Sequence, residues 1–241
     1  MRRNLMRSSG ALLTRFGVLA LLVLTGMAAD LTRAQWESLP EEKVPTERPG
    51  IAVQIDRRHL KFMGFDIHES TEDTIESVRL KLGETRDSGN ENISNCACYV
   101  AADTNDETAV EFCTGPVGGF HNLSSFRIAA KQDRYFHRHL CEKSARVNGL
   151  VATESGLRIG LEKEAVRAIL GKPLEENEFA WRYTYHLLVK RPFEDLMGSS
   201  KSLDCRIDQP DSCYLRIYSE ILVNFLDGKV TGVSVGNGIA W

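Results

Sequence analysis

The sequence predicts an α+β fold of two tandem modules, each with helix or helices packed on one face of an antiparallel β-meander. Two observations lead there. Apolar residues at helical spacing, closed by a glycine, occur twice: Ile75, Val78, Leu82 and Gly83, then Val166, Ile169, Leu170 and Gly171. A succession of strand-like segments follows each. The pairs Val78-Arg79 and Val166-Arg167, and Leu82-Gly83 and Leu170-Gly171, also share one offset of 88 residues, as a duplication requires. The expected boundaries are a leader at 1–29, a flexible linker at 35–50, and modules at 51–146 and 147–241.

The chain opens with Arg2, Arg3, Arg7 and Arg15 and no acid. An apolar run from Phe16 to Ala29 follows, with small residues for cleavage at Ala28 and Ala29, or as late as Ala34. That order is a secretory signal peptide, too short to span a bilayer comfortably. The whole chain carries a formal charge of −3 and the leader holds four arginines, leaving about −7 on the remainder. An acidic body argues against nucleic acid and against anionic membrane surfaces. No cysteine follows the apolar run closely enough for a lipid anchor, so a soluble protein with no stable membrane anchor is expected, periplasmic or secreted.

From 35 to 50, Glu37, Glu41, Glu42 and Glu47 mix with Pro40, Pro45 and Pro49, a composition that buries too little to order itself. Short extended pieces are expected at 52–55 and 61–67, and a helix start at Ser70 or Thr71. Strands are expected at 96–102, 108–113 and 123–129, the first two joined by turn residues Asp103, Thr104, Asn105 and Asp106. In the second half, strands are expected at 180–189 and 214–225, the latter bent near Ser219. An Asp227-Gly228 turn and a last strand at 230–235 follow.

Six cysteines, at 96, 98, 113, 141, 205 and 213, all lie beyond the leader, which in an exported chain favours disulfides. Cys205 and Cys213 flank a turn-like stretch and are expected to pair. Four then remain, with three connectivities. Bridging Cys96 to Cys98 strains the geometry. A tight hairpin at 103–106 places residue 96 opposite 113, which favours Cys96–Cys113 and leaves Cys98–Cys141.

The segment Gly160-Leu-Glu-Lys-Glu-Ala-Val-Arg-Ala-Ile-Leu-Gly-Lys-Pro173, followed by Trp181-Arg-Tyr183, Ile221-Leu-Val-Asn-Phe225 and Asp227-Gly-Lys-Val230, resembles a known pattern. It is similar to the fold family of the β-lactamase-inhibitory protein and the small lipoprotein of the outer-membrane β-barrel assembly machine. The resemblance covers 150–241 well and 64–130 weakly. It implies helices against a four-stranded antiparallel sheet whose free face binds another protein. The lipoprotein's anchor cysteine is missing, and the six cysteines and the insert at 190–213 are additions. Partner and contact residues therefore do not carry over.

The residues themselves carry few marks of chemistry. His137, His139 and Cys141 have zinc-ligand types, but the bland reading is loop histidines and a bridged cysteine. Asp103, Asn105 and Glu107 alternate as calcium ligands do, yet the sixth position lacks glycine and the twelfth lacks glutamate, so they read as a hairpin tip. No nucleophile elbow or phosphate loop appears, and His68, His121 and His186 are scattered. No catalytic residue, metal or cofactor is assigned.

Binding candidates come from strand alternation. Trp181, Tyr183 and Tyr185 share one face of the 180–189 strand; Tyr214, Arg216 and Tyr218 lie opposite the aliphatic face of the next strand. Trp, Tyr and Arg are the types that anchor protein interfaces. For the first three the alternative is a purely structural role under the helix. The expected function is an exported, non-catalytic module that binds another protein in the bacterial envelope or outside the cell. The alternatives are an inhibitor of a secreted or periplasmic hydrolase, and an enzyme or small-ligand carrier with a site between the modules.

Overall fold

The structure is a computed structural model that describes residues 36–43, 55–67, 73–85, 95–115, 122–131, 133, 141–191 and 213–240. It is an α+β protein dominated by strand. The chain divides into two compact units: Met1–Lys43 with Val189–Leu215, and Val44–Leu188 with Arg216–Trp241. The sequence-derived modules at 51–146 and 147–241 do not coincide with these units. Both helix-plus-meander segments fall in the larger one, because their strands join in a single sheet.

In the larger unit a 3₁₀ turn, Arg57–Leu60, leads into strands β2 (Lys61–Phe62) and β3 (Phe65–Asp66), following β1 (Glu42–Lys43). Met63 and Gly64, both at positive φ, make the tight turn between β2 and β3. Helix α1 runs over Ile75–Leu82 and is followed by β4 (Cys96–Ala101), β5 (Ala109–Thr114) and β6 (Leu123–Ala129). A short β7 (Glu142–Ser144) comes next. Helix α2 (Lys163–Leu170) precedes β8 (Glu175–Glu176), β9 (Ala180–Lys190), β10 (Tyr214–Leu226) and β11 (Lys229–Ala240). The sheet order in this unit is β9-β10-β11-β6-β5-β4-β7, with β8 also paired to β9.

Each meander thus contributes three strands, and their third strands, β6 and β11, pair antiparallel with Ser234 opposite Arg127. The two helices are placed alike, although only α1 has a side-chain N-cap. The N-cap residue of α1, Thr74, bridges Asn122 at the start of β6; the N-cap residue of α2, Glu162, bridges Lys229 at the start of β11. Each helix closes on a glycine at positive φ, Gly83 at 111° and Gly171 at 78°. In each, that glycine's N–H donates to an arginine carbonyl four residues back, Arg79 or Arg167. The helix starts later than the sequence suggests. Ser70 and Thr71 lie outside the described residues, and Thr74 caps through a reciprocal pair with Ser77.

One face of this sheet is the core. Tyr99, Val110, Phe112, Phe126 and Ile128 join Trp181, Tyr183, Ile221, Val223, Val233 and Val235 in one buried cluster, together with Val78 of α1 and Val166 of α2. Phe62 stacks on Phe126 at 4.9 Å and on Phe112 at 5.5 Å, and Phe65 meets Phe112 edge-on at 5.2 Å. The register of β10 with β11 shifts between Asn224 and Phe225 and is continuous through Ser219.

Cys96 sits opposite Cys113 in the β4–β5 register and is bonded to it. Cys98 is bonded to Cys141. Cys141 immediately precedes β7, whose parallel pairing with β4 sets Tyr99 opposite Glu142. Cys213 is disulfide-bonded, and its expected partner Cys205 lies outside the described residues.

In the smaller unit, residues 36–43 are ordered by contacts, in place of the flexible linker expected there. The Lys190 side chain is 2 % exposed. Its Nζ lies 4.0 Å over the Trp36 ring and donates to the Leu39 carbonyl at 3.0 Å. Glu41 Oε1 balances the charge at 3.4 Å. The Lys190 N–H donates to the Glu41 carbonyl, so β1 lies beside the end of β9. Residues 1–35, the expected leader included, and residues 44–54 and 192–212 lie outside the described residues.

Candidate functional site

Because Val233 and Val235 point into the core, Gly232, Ser234, Gly236 and Gly238 project to the opposite, outer face of the sheet. The register maps that face in rows. One row across the strands reads Cys98, Glu111, Arg127, Ser234 and Leu222. The next reads Cys96, Cys113, Ser125, Gly236 and Glu220. A third sets Gly238 beside Tyr218. The small residues on β6 and β11 leave a trough between the Cys96–Cys113 disulfide and the larger side chains of β10. This trough is a shallow cleft of about 250 Å³, lined among others by Glu111, Ser125, Arg127, Glu220, Ser234 and Gly236.

The polar groups around the cleft are tied together. Arg127 Nη2 donates to both carboxylate oxygens of Asp133 at 2.7 Å, and the Asp133 side chain is 1 % exposed. Gly232 makes room for this pair, since a Cβ there would run into Asp133. On the other wall the Tyr218 hydroxyl donates to Glu220 Oε2 at 2.7 Å. Arg182 lies between Glu220, at 3.5 Å, and Glu175, at 3.1 Å. Burial, then the bond to Glu220, raises the Tyr218 phenol above its ordinary range. The His186 ring packs against Tyr218 at 5.3 Å between centroids.

The sequence-derived binding candidates divide. Trp181, Tyr183 and Tyr185 are buried, at 2 %, 3 % and 7 % exposure, in the core cluster. They back the helix instead of facing a partner: Arg167 lies 4.7 Å over the Trp181 ring, and the Tyr183 hydroxyl donates to the Gly171 carbonyl. Tyr214 is also buried, with its hydroxyl donating to the Pro40 carbonyl at 2.9 Å. Arg216 is exposed and Tyr218 half-buried, and Tyr218 stands on the cleft face. Alternation alone cannot say which face of an amphipathic aromatic strand is wet: β9 puts its aromatic face inward, whereas β10 buries its aliphatic positions and turns Arg216 and Tyr218 to the other face.

Arg127, Glu111 and Glu220 escaped assignment because nothing in their local pattern marks them. The alternation Gly232-x-Ser234-x-Gly236-x-Gly238 was a readable signal of a low floor on one face of a strand.

For metal binding, the Cys96 and Cys113 sulfurs and the Glu111 carboxylate lie within 4.8 Å of one another, but both sulfurs are committed to the disulfide. The calcium-like residues act as turn formers: Asp103 Oδ1 accepts the Asn105 N–H, and Asp106 accepts those of Thr108 and Gly149. His137 and His139 lie outside the described residues. Among the described residues no helix is long and apolar enough to cross a membrane.

Comparison with known protein families, with curated proteins and with solved structures returns no match in any of the three.

Proposed function

We propose that the chain is an exported, non-catalytic interaction module, acting in the bacterial envelope or outside the cell, that docks another protein on the outer face of its sheet. The observation that carries this reading is the row of Tyr218, Glu220 and Arg182 standing beside a glycine- and serine-floored cleft. A polar wall with a Tyr and an Arg beside a low floor suits an interface. Two independent features support export. The basic and then apolar opening of the sequence is that of a secretory leader. The disulfides Cys96–Cys113 and Cys98–Cys141 suit a periplasmic or secreted chain.

The paired N-cap bridges and the paired C-cap glycines support a tandem duplication of one helix-plus-meander unit. That repetition also favours a second reading, taken from the resemblance: a two-module inhibitor of a secreted or periplasmic hydrolase. The warrant for it is fold-level likeness alone.

The test is capture from envelope extracts and culture fluid with the disulfide-intact chain and its Arg216→Ala and Tyr218→Ala variants. Partners retained by the wild type and lost by Tyr218→Ala support docking on this face. Equal recovery by all three forms counts against it. Unchanged activity across a panel of β-lactamases and peptidoglycan hydrolases removes the inhibitor reading.

A further inference from the structure

We infer that the Cys96–Cys113 disulfide, at the edge of the outer-face cleft, is a reversible thiol–disulfide exchange site whose co-reactant is a dithiol. The site goes beyond the docking reading and does not depend on it. Access singles out one sulfur. Cys113 is half-buried and lines the cleft, whereas Cys96 is 5 % exposed. A thiolate entering the cleft therefore meets Cys113. The Cys98–Cys141 bond is shielded. Cys98 is 1 % exposed in a small apolar cluster with Ala109 and Ala129, against which Val100 and Cys141 pack. Bringing a thiolate among those methyl groups costs it its hydration.

Strand register makes the exchange reversible. The Thr114 N–H donates to the Asn95 carbonyl at 2.9 Å, and the Asn95 N–H donates to Thr114 Oγ1 at 3.0 Å. On the other side of the bond Ala97 faces Phe112, and further along the Ala101 N–H donates to the Thr108 carbonyl. Alternation along this ladder makes Cys96 and Cys113 a non-hydrogen-bonded pair, the closer of the two antiparallel kinds, with Cα atoms 4.1 Å apart. Backbone hydrogen bonds hold that register, so opening the disulfide leaves each thiol opposite the other, and closing it again is an intramolecular step. Cys141 has no comparable frame, since β7 pairs with β4 over three residues only. The Glu111 carboxylate and the two sulfurs lie within 4.8 Å of one another. Its charge disfavours thiolate and keeps the released cysteines protonated at neutral pH, so the co-reactant supplies the nucleophile.

In the exchange, a thiolate of the dithiol bonds to Cys113 Sγ as the Cys96–Cys113 bond breaks. Cys96 leaves with the electron pair and takes a proton. The second sulfur of the dithiol gives up its proton and displaces Cys113, which is protonated in turn. The dithiol has become a disulfide, and two electrons and two protons have passed to the cysteine pair. The reverse sequence restores the bond.

The assignment is tested by exposing the disulfide-intact chain to dithiothreitol without denaturant. Samples are trapped with iodoacetamide at intervals, and the alkylated cysteines are located by mass spectrometry. Cys96 and Cys113 are expected to be alkylated together, about tenfold faster than Cys98 and Cys141, while circular dichroism keeps its folded signal. Oxidised dithiothreitol is expected to close the bond again. A Cys96→Ala chain offered glutathione disulfide is expected to hold glutathione on Cys113, and a Cys113→Ala chain to take up about tenfold less on Cys96. Opening of Cys98–Cys141 first or at the same rate overturns the assignment. So does opening that occurs only with unfolding, or a reduced pair that does not close again. Equal uptake by the two single variants overturns attack at Cys113 through the cleft.

Discussion

The Tyr99 hydroxyl donates to the carbonyl of Gly83 across 2.6 Å, tying the first strand of its meander to the end of helix α1. Tyr183 makes the same link to Gly171, the glycine that ends α2, at 3.4 Å. The shorter bond satisfies a helix-end carbonyl more fully. Tyr99→Phe is expected to cost about 1–2 kcal/mol, because it leaves that carbonyl short of a partner, and Tyr183→Phe about half as much. Urea unfolding of the two variants measures the difference. Equal midpoints would mean the longer contact is no weaker than the shorter.

Buried phenols, Tyr99 and Tyr185 among them, set an alkaline limit. Burial pushes Tyr99 up to about 12, with the charges of Arg79 and Glu84 as smaller influences. Burial likewise pushes Tyr185 up to about 12. An unfolded tyrosine ionises near pH 10, so between about 10 and 12 the unfolded chain has released protons that the folded chain keeps. Stability from these groups is therefore complete below pH 10 and is lost as pH rises toward 12. Tyrosinate absorbance and circular dichroism followed together should show the late-ionising tyrosines appearing with unfolding. Full ionisation at pH 10.5 with the fold intact would contradict this.

On the acid side the group that loses its folded environment first is His59. It is buried, and desolvation lowers its pKa from the ordinary imidazole value; Asp56 pulls it up and Arg58 pushes it down by smaller amounts. Its unfolded counterpart takes up a proton near pH 6.5 and the folded one does not. Stability is thus present above pH 6.5 and declines as pH falls below it. Replacing His59 by Phe should flatten the slope of unfolding free energy between pH 5 and 6.5 relative to wild type. An unchanged slope would assign the acid sensitivity to other groups.

How much of this was legible in the sequence depended on whether the signal was local. The two helices, both closing glycines and the strands of both meanders follow from side-chain periodicity and turn residues, as does Cys96 opposite Cys113. What joins the halves was not legible. The β6–β11 pairing links residues about a hundred positions apart, and no local pattern records which strand edges meet. β7 pairs parallel with β4 over three residues, too short a run for any period. The order in 36–43 comes from Lys190, far along the chain, so an acidic, proline-rich composition misled there. The cleft was half-visible: the small-residue alternation in β11 is local, but the Arg127–Asp133 pair at its end depends on tertiary placement.

The two disulfides with both partners among the described residues differ in the loops they close. Cys96–Cys113 has a sequence separation of 17 and Cys98–Cys141 of 43. On the chain-entropy model these correspond to about 3 and about 4 kcal/mol. Replacing Cys98 and Cys141 together by Ala should therefore lower the unfolding midpoint more than replacing Cys96 and Cys113. The reverse order, measured by denaturant unfolding, would show that the β4–β5 hairpin needs its cross-strand link more than the β7 edge does.

Gly232 and Gly236 lie four residues apart on the same face of β11, and their surroundings give them opposite sensitivities. A Cβ on Gly232 runs into the Asp133 carboxylate and meets the Asn224 amide nitrogen at 3.1 Å. Asp133 cannot simply swing aside, because it is buried and held by Arg127. Gly232→Ala either strains the strand or breaks a largely buried ion pair, and should cost about 2–4 kcal/mol. Gly236→Ala adds its methyl to open space, trades a flexible residue for a stiffer one, and should change stability by no more than about 0.5 kcal/mol, in either direction. Thermal and denaturant unfolding of the two variants give the comparison. A costly Gly236→Ala would mean the floor of the cleft is kept bare for the fold itself, and a harmless Gly232→Ala would mean the Arg127–Asp133 pair rearranges without loss.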